Sequence, residues 1–245
     1  MKFLKENTNT LTDKLDLSDN LKSFLVSSDF KQRLNDYDID NIYKYISSRS
    51  FSTKDIRSLT QILYSIDVNP LNYLTYVPSY FLLDIDSTIN ISIPNNITSI
   101  GDYAFYHCSG LVGISIPDSV TTIGRCAFDS CSKLTKIVIP DSVTSIEREA
   151  FWGCSDLHTI TINSNITEIN DGFAQVCENL TEVFIPKTVL IIGSYSFSDC
   201  PSLREIHYNG TKQGWRKIKK HRTWKTASPI ETIHCIDGDI NYKVV

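Results

Sequence analysis

The 245-residue chain has no apolar run that could cross a bilayer. Stretches such as Phe81–Leu83 and Val189–Ile192 fall far short of the roughly 20 residues a spanning helix needs, so no membrane insertion is expected. The first residues, MKFLKENTNT, reach Glu6 before any apolar segment forms. A secretory signal is therefore not expected, and the sequence reads as a chain made where it acts, in the cytoplasm. There is no CxxC pair among the seven cysteines, an odd number, which argues against a disulfide framework. Phosphate-binding loops, the dinucleotide glycine fingerprint, HExxH and GxSxG are all missing, so no catalytic residue, cofactor or metal ligand is assigned and an enzyme is not expected.

What the chain does have is a period. Cys108, Cys131, Cys154, Cys177 and Cys200 are spaced 23 residues apart, and each is followed three positions later by a leucine, Leu111, Leu134, Leu157, Leu180 and Leu203. A fixed period of this length marks a solenoid whose turns stack on their neighbours. Within each unit a period-2 pair (Ile91/Ile93, Ile114/Ile116, Ile137/Ile139, Ile160/Ile162, Val183/Ile185, Ile206/Tyr208) predicts a strand. Pro94, Pro117, Pro140 and Pro186 end that strand because proline cannot donate to a ladder. A second wall follows at Ile97, Val120, Val143, Ile166 and Val189 with Ile100, Ile123, Ile146, Ile169 and Ile192. Gly101, Gly124 and Gly193 are then expected to permit a bend into a short helical turn carrying Ala104/Phe105, Ala127/Phe128, Ala150/Phe151 and Ser196/Phe197. The fourth unit inverts the pair to Phe173/Ala174, a volume-conserving swap that reads as local repacking. The cysteines are expected to be reduced and buried as small hydrophobes.

One such turn cannot fold alone, so the ends of the stack require caps. Residues 1–82 lack the period and read as a helical N-terminal domain or cap, with the best helix opening at Ser52-Thr53-Lys54-Asp55 and presenting Ile56, Leu59, Ile62, Leu63 and Ile66 on one face. Residues 83–208 form a solenoid of about five turns. Residues 209–245 read as a C-terminal cap, a basic helix over Thr211–His221 followed by a hairpin over Thr232–Ile240 with a tight turn at Asp237-Gly238. The fold class is α/β, a solenoid between two caps.

The unit LTKIVIPDSVTSIEREAFWGCSD, echoed by IPDSVTTIGRCAFDSCSKL, resembles the BspA-like (Treponema-type) leucine-rich repeat, and the tail YNGTKQGW with IHCIDGDI looks like the ending seen in that family. The resemblance implies a curved α/β leucine-rich-repeat solenoid used for protein or host-surface recognition, frequently on exported proteins. A helical head joined to such repeats is also similar to the organisation of some phage-encoded proteins, which offers a virion-associated or host-cytoplasmic setting as the alternative location.

Residues on the outer face of the first wall are the candidate partner-binding surface. They run from Gly113 and Ser115 through Lys136 and Val138, Thr159 and Thr161, Glu182 and Phe184, to Glu205 and His207. Phe184 stands where an outward strand residue should be polar, so Lys136, Val138, His158, Thr161, Glu182, Phe184, Arg204 and His207 are the expected contacts for a protein partner. The competing reading is that the C-terminal segment covers Phe184. On the second wall, Thr98, Thr121, Thr144 and Thr167 form a column that breaks into Leu190 and Ile191. Charge is uneven: residues 209–225 carry seven basic and no acidic side chains, whereas residues 1–82 are balanced at ten each. Arg216, Lys217, Lys219, Lys220, Arg222 and Lys225, beside Trp215 and Trp224, read first as a solvated face with the tryptophans packed on the last turn. An acidic protein partner or, less favoured, nucleic acid are the alternatives. The leading function is a non-enzymatic module recognising a protein through the outward strand face. The alternative is a structural or assembly component, of a virion or a cell surface, with the helical head as docking or oligomerisation element. Neither the partner's identity nor the oligomeric state is written in the sequence.

Overall fold

The computed structural model describes residues 75–77, 79, 81–82 and 88–242. The helical N-terminal domain expected over residues 1–82 lies outside these, except for its last few residues, and those are not helical. Tyr76–Val77 form a strand, β1, that pairs in parallel with Ser99–Ile100, β3. Val77 and Phe81 are fully buried in the common core. The solenoid therefore begins before residue 83. Thr75, Val77 and Phe81 stand one repeat before Thr98, Ile100 and Ala104, and no cysteine 23 residues before Cys108 announces that repeat.

The first wall is made of β2 (Ile89–Ser92), β4 (Leu111–Ser115), β6 (Lys136–Ile139), β8 (Thr159–Ile162), β10 (Glu182–Pro186) and β12 (Glu205–Asn209). β6, β8, β10 and β12 are parallel and in register at a shift of one repeat, for example Lys136 opposite Thr159 and Glu182 opposite Glu205. The second wall consists of two-residue strands. β1, β3, β5 (Thr122–Ile123) and β7 (Ser145–Ile146) make one sheet, and β9 (Glu168–Ile169), β11 (Ile191–Ile192) and β13 (Lys219–Lys220) the other. Inward isoleucines and valines of both walls are buried together in one core.

The third side is not helical. Alternate amides bond to the next turn, while those between them donate three residues back within their own: Phe105 N–H donates to Ala127, Phe128 to Ala150, Phe151 to Phe173 and Phe197 to Trp224, whereas Tyr106 donates to Tyr103 and Cys131 to Phe128. Two left-handed residues per turn make this possible. Tyr103, Cys126, Glu149, Gly172 and Tyr195 form one column of positive φ, and His107, Ser130, Gly153, Val176 and Asp199 form another. Eight of these ten are not glycine, so proline and glycine signals could not announce the bends. Gly124 and Gly193 have a different role from the expected one. A Cβ at Gly124 would stand 2.5 Å from the Asp102 amide nitrogen, and one at Gly193 2.5 Å from Asp171 Oδ1. Those aspartates accept from the amides of Arg125 at 2.8 Å and Ser194 at 2.6 Å, knitting one turn to the next.

Two columns fill the space beneath this side. The aromatic column runs Phe81, Phe105, Phe128, Phe151, Phe173, Phe197 and Trp224, with centroid spacings between 5.2 and 6.3 Å. Phe128 and Phe151 are parallel within 1°, whereas Phe173, in the inverted unit, is turned 70° to both neighbours. Its rotation absorbs the swap, and Phe173 and Ala174 remain fully buried. In the thiol column every cysteine from the second onward donates to a carbonyl of the preceding turn: Cys131 to Phe105, Cys154 to Phe128, Cys177 to Phe151 and Cys200 to Ala174, at 3.1 to 3.2 Å. None of the seven cysteines is in a disulfide. Burial raises the pKa of Cys131, Cys154 and Cys177, holding them as inert thiols.

The expected C-terminal cap is instead a disguised turn of the solenoid. The helix α1 covers Lys212–Lys217, six residues rather than the expected Thr211–His221, with Thr211 as N-cap. Lys219 and Lys220 leave it as β13 and pair with Ile191 and Ile192. Trp224 then takes the phenylalanine position, and Ser228 takes the cysteine position, donating from Oγ to the Phe197 carbonyl at 2.6 Å. Ile230 takes that of leucine and Ile233 that of the first-wall strand, β14 (Thr232–Cys235). This last unit is 27 residues long, Ile206 lying opposite Ile233, because α1 replaces a tighter corner. An antiparallel strand, β15 (Gly238–Asn241), closes the edge beside β14.

Ser228 shows that a hydroxyl fits the thiol position. Cys154→Ser is accordingly expected to lower stability by no more than about 1 kcal/mol, and Cys154→Leu, which inserts extra carbon into a closed column, by about 1 to 3 kcal/mol, measured by denaturant unfolding. A second expectation concerns Val176, a β-branched residue at φ 61°. Left-handed backbone costs a non-glycine residue roughly 1 to 2 kcal/mol, so Val176→Gly should raise stability by about 1 kcal/mol in the same measurement.

Candidate functional site

Register in the first wall stacks outward side chains into rows. One row is Lys136, Thr159, Glu182, Glu205 and Thr232; the next is Val138, Thr161, Phe184, His207 and His234. Val138 is 47% exposed, a large aliphatic group without cover. Phe184 is half-buried. His207 stacks on its ring at 4.4 Å and 10°, and His234 stacks on His207 at 4.7 Å and 20°, so three flat rings line the far end of the row.

Two shallow grooves run along this face. One is lined by Gly113, Ser115, Lys136 and Val138, the other by Thr161, Phe184, His207 and His234, and Asp141 and Asn163 line both. The expected residues Lys136, Val138, Thr161, Phe184 and His207 thus share one continuous surface, and Glu182 and Glu205 stand in the adjoining row. His158 and Arg204 do not. Each precedes its strand by one residue: exposed His158 donates from Nδ1 to the Asp156 carbonyl at 2.7 Å, and Arg204 Nε pairs with Glu231 at 3.3 Å. His234, Asp141 and Asn163 were missed. His234 had a detectable signal, since it occupies the outward position 27 residues beyond His207, but the period of 23 had already lapsed there.

The far end of the face is polar. Glu205 Oε2 lies 3.9 Å from His207 Nε2 and 3.5 Å from His234 Nε2, while His234 Nδ1 meets Asp239 Oδ1 at 3.0 Å. Neither Nε2 has a hydrogen-bond partner, and both are shielded from solvent. Among the described residues, Glu205, His207 and His234 are also the set whose ligand atoms come within 4.8 Å of one another.

The basic patch divides on inspection. Arg216, Lys217, Lys219 and Arg222 are exposed. Lys220 instead stands in the second-wall position of the isoleucines, paired with Ile192, and turns its ammonium over Trp215 at 4.5 Å while donating to the Trp215 and Ile218 carbonyls. Burial lowers its pKa to about 8. Lys225 lies over Tyr242 at 4.7 Å, and burial lowers its pKa too. Trp215 and Trp224 are buried and edge-on to each other at 6.1 Å, so neither ring is free to stack on a base. On the second wall, Leu190 and Ile191 are exposed, 61% and 39%, where the threonine column ends; Thr98, Thr121 and Thr144 each donate to the threonine carbonyl one turn back.

For Lys220 the folded pKa lies below the unfolded one, so between about pH 8 and the ordinary lysine value near 10.5 the unfolded chain binds the extra proton. Relative to Lys220→Met, the wild-type chain should therefore gain stability as pH rises through that window, with the gap between the two constant below it. Urea unfolding across pH 7 to 10.5 checks the sign.

A family model described as a BspA type leucine rich repeat region matches residues 75–211 in six copies. No curated protein matches the chain. Among solved structures, a leucine-rich repeat protein from Eubacterium ventriosum is similar with a TM-score of 0.51 and 22% identity, over 62% of this chain and 47% of that one, so the chain spans about half the length of that relative. The leucine rich repeat protein of T. pallidum matches with 26% identity and a TM-score of 0.46, over 64% of this chain and 76% of that one. With the family model covering more than half of the residues and the 23-residue columns present in the fold, the chain belongs to the BspA type leucine rich repeat family.

Proposed function

We propose that the outward face of the first wall is a non-enzymatic recognition surface for a protein partner. The observation that carries this reading is the row Val138, Thr161, Phe184, His207 and His234, where an uncovered aliphatic group and half-buried aromatic rings lie in two grooves joined at Asp141 and Asn163. Rigid, parallel strands hold these anchors at fixed spacing, so little side-chain entropy is lost on contact. Aromatic anchors flanked by polar groups are where interfaces concentrate their binding energy. Asp118, Asp141, Glu182, Glu205 and Asp239 outnumber Lys136 on and around the face, which favours a partner segment carrying a basic residue beside an apolar one. Leucine-rich repeat solenoids are in general protein-interaction modules, and this supports the reading without naming the partner. The alternative of an assembly component rests on residues 1–74, which lie outside the described ones.

The test places a photo-crosslinking residue at Val138 and, as a control on the opposite wall, at Leu190, in cells of the source organism. A discrete adduct from the Val138 position that disappears with Phe184→Ala plus His207→Ala, at unchanged thermal stability, is the expected result. Equal adducts from both positions, or an adduct indifferent to the double substitution, would remove the strand face from consideration. Where the partner is then purified, Phe184→Ala should weaken its affinity about tenfold or more, as expected of a central anchor contributing above 1 kcal/mol.

A further inference from the structure

We propose that Glu205, His207 and His234 form a binding site for a divalent transition-metal ion of the zinc class. The three residues come from two adjacent parallel strands, β12 and β14, with His207 opposite His234 and Glu205 opposite Thr232. Their ligand atoms lie within 4.8 Å of one another. Zinc bonds of about 2.0 to 2.2 Å place the ligand atoms of a tetrahedral site about 3.4 Å apart, so each imidazole need shift by under about 1 Å, tilting out of its stack, to close the set. Glu205 Oε2 already stands 3.5 and 3.9 Å from the two Nε2 atoms, too far to be hydrogen-bonded and near enough to share an ion.

The tautomer of His234 is set for the task. Asp239, across the antiparallel pairing from His234, has only an acceptor to offer at neutral pH. In the neutral imidazole this acceptor keeps the proton on Nδ1, which makes Nε2, on the side of Glu205, the ligating atom. A carboxylate behind a ligating imidazole is the arrangement that fixes ring orientation and raises its basicity. His234 Nε2 and His207 Nε2 are without hydrogen-bond partners, which is costly for shielded polar atoms and is relieved by a ligand that accepts their lone pairs. The side chains are about one third to one half exposed while the two Nε2 atoms are shielded, so the same tilt of the rings that closes the set opens it to an ion from solvent. Two imidazoles with one carboxylate select borderline ions over calcium or magnesium, which prefer oxygen alone, and three protein ligands leave a fourth position open. The inference concerns the isolated chain and stands whether or not the face binds a protein.

Isothermal titration of the full chain with zinc chloride under reducing conditions tests it, together with the visible spectrum of the cobalt(II) form. The expected result is one equivalent bound, with His207→Gln or His234→Gln weakening affinity 100-fold or more and Asp239→Asn about tenfold, each variant keeping the thermal midpoint of the metal-free wild type. Cobalt should give ligand-field bands without thiolate charge transfer, and Cys235→Ser, removing the partly exposed thiol nearby, should leave affinity unchanged. Equal zinc uptake by wild type and the double His207→Gln/His234→Gln variant, or a thiolate band that vanishes with Cys235→Ser, would overturn the assignment.

Discussion

Everything in this molecule depends on each turn lying directly on the last, with like residue opposite like. Parallel pairing at a shift of one repeat, inter-turn amide bonds on the third side and aspartates reaching the next corner all enforce the same register. A side chain in such a stack has a copy of its own position above and below it. Inward columns therefore settle on residues that pack well against themselves: phenylalanine rings at about 5 to 6 Å, branched aliphatics, and a thiol small enough to reach a carbonyl of the turn before. This is the physical reason the sequence is periodic at all.

The same constraint explains how the stack ends. A seventh level keeps the geometry while changing nearly every residue: Trp224 for phenylalanine, Ser228 for cysteine, Ile230 for leucine and Lys220 for isoleucine. Lys220 fits because its stem is apolar and its ammonium finds Trp215 and two carbonyls at the boundary, at the cost of a depressed pKa. With α1 filling one corner and β15 pairing antiparallel on β14, the last parallel strand of the first wall is not left as an edge.

How much of this was legible follows from which columns have unmistakable residues. Proline, cysteine and leucine made the middle five turns readable, and Ile206 with Tyr208 extended the first wall by one strand. The turn at Thr75–Phe81 and the one ending at Ile233 went unread because they keep the geometry and exchange the marker residues. The third side was misread as helical for a different reason: left-handed backbone at Tyr103, Cys126, Glu149 and Tyr195 carries no sequence signature, since inter-turn bonds rather than glycine hold it there. At the candidate site, Val138, Phe184 and His207 were visible as departures from polar alternation. Asp239 was not, since it enters the face only through the hairpin, and the signal of His234 lay outside the 23-residue period because the last turn is longer.

Outward columns are under no such packing constraint, which is why their departures carry functional meaning. Threonine facing threonine, as in the second-wall column, is a neutral solution to self-stacking. Glutamate facing glutamate is not: Glu182 lies directly opposite Glu205, and like charges in that relation oppose the pairing. The next row sets Phe184, His207 and His234 face to face, with Asp239 behind the last ring and Glu205 beside it. Carboxylates gathered at one end of a face, around imidazoles whose lone pairs are unmet, describe a region short of positive charge. The basic partner side chain and the metal ion proposed above would each offset that crowding of carboxylates.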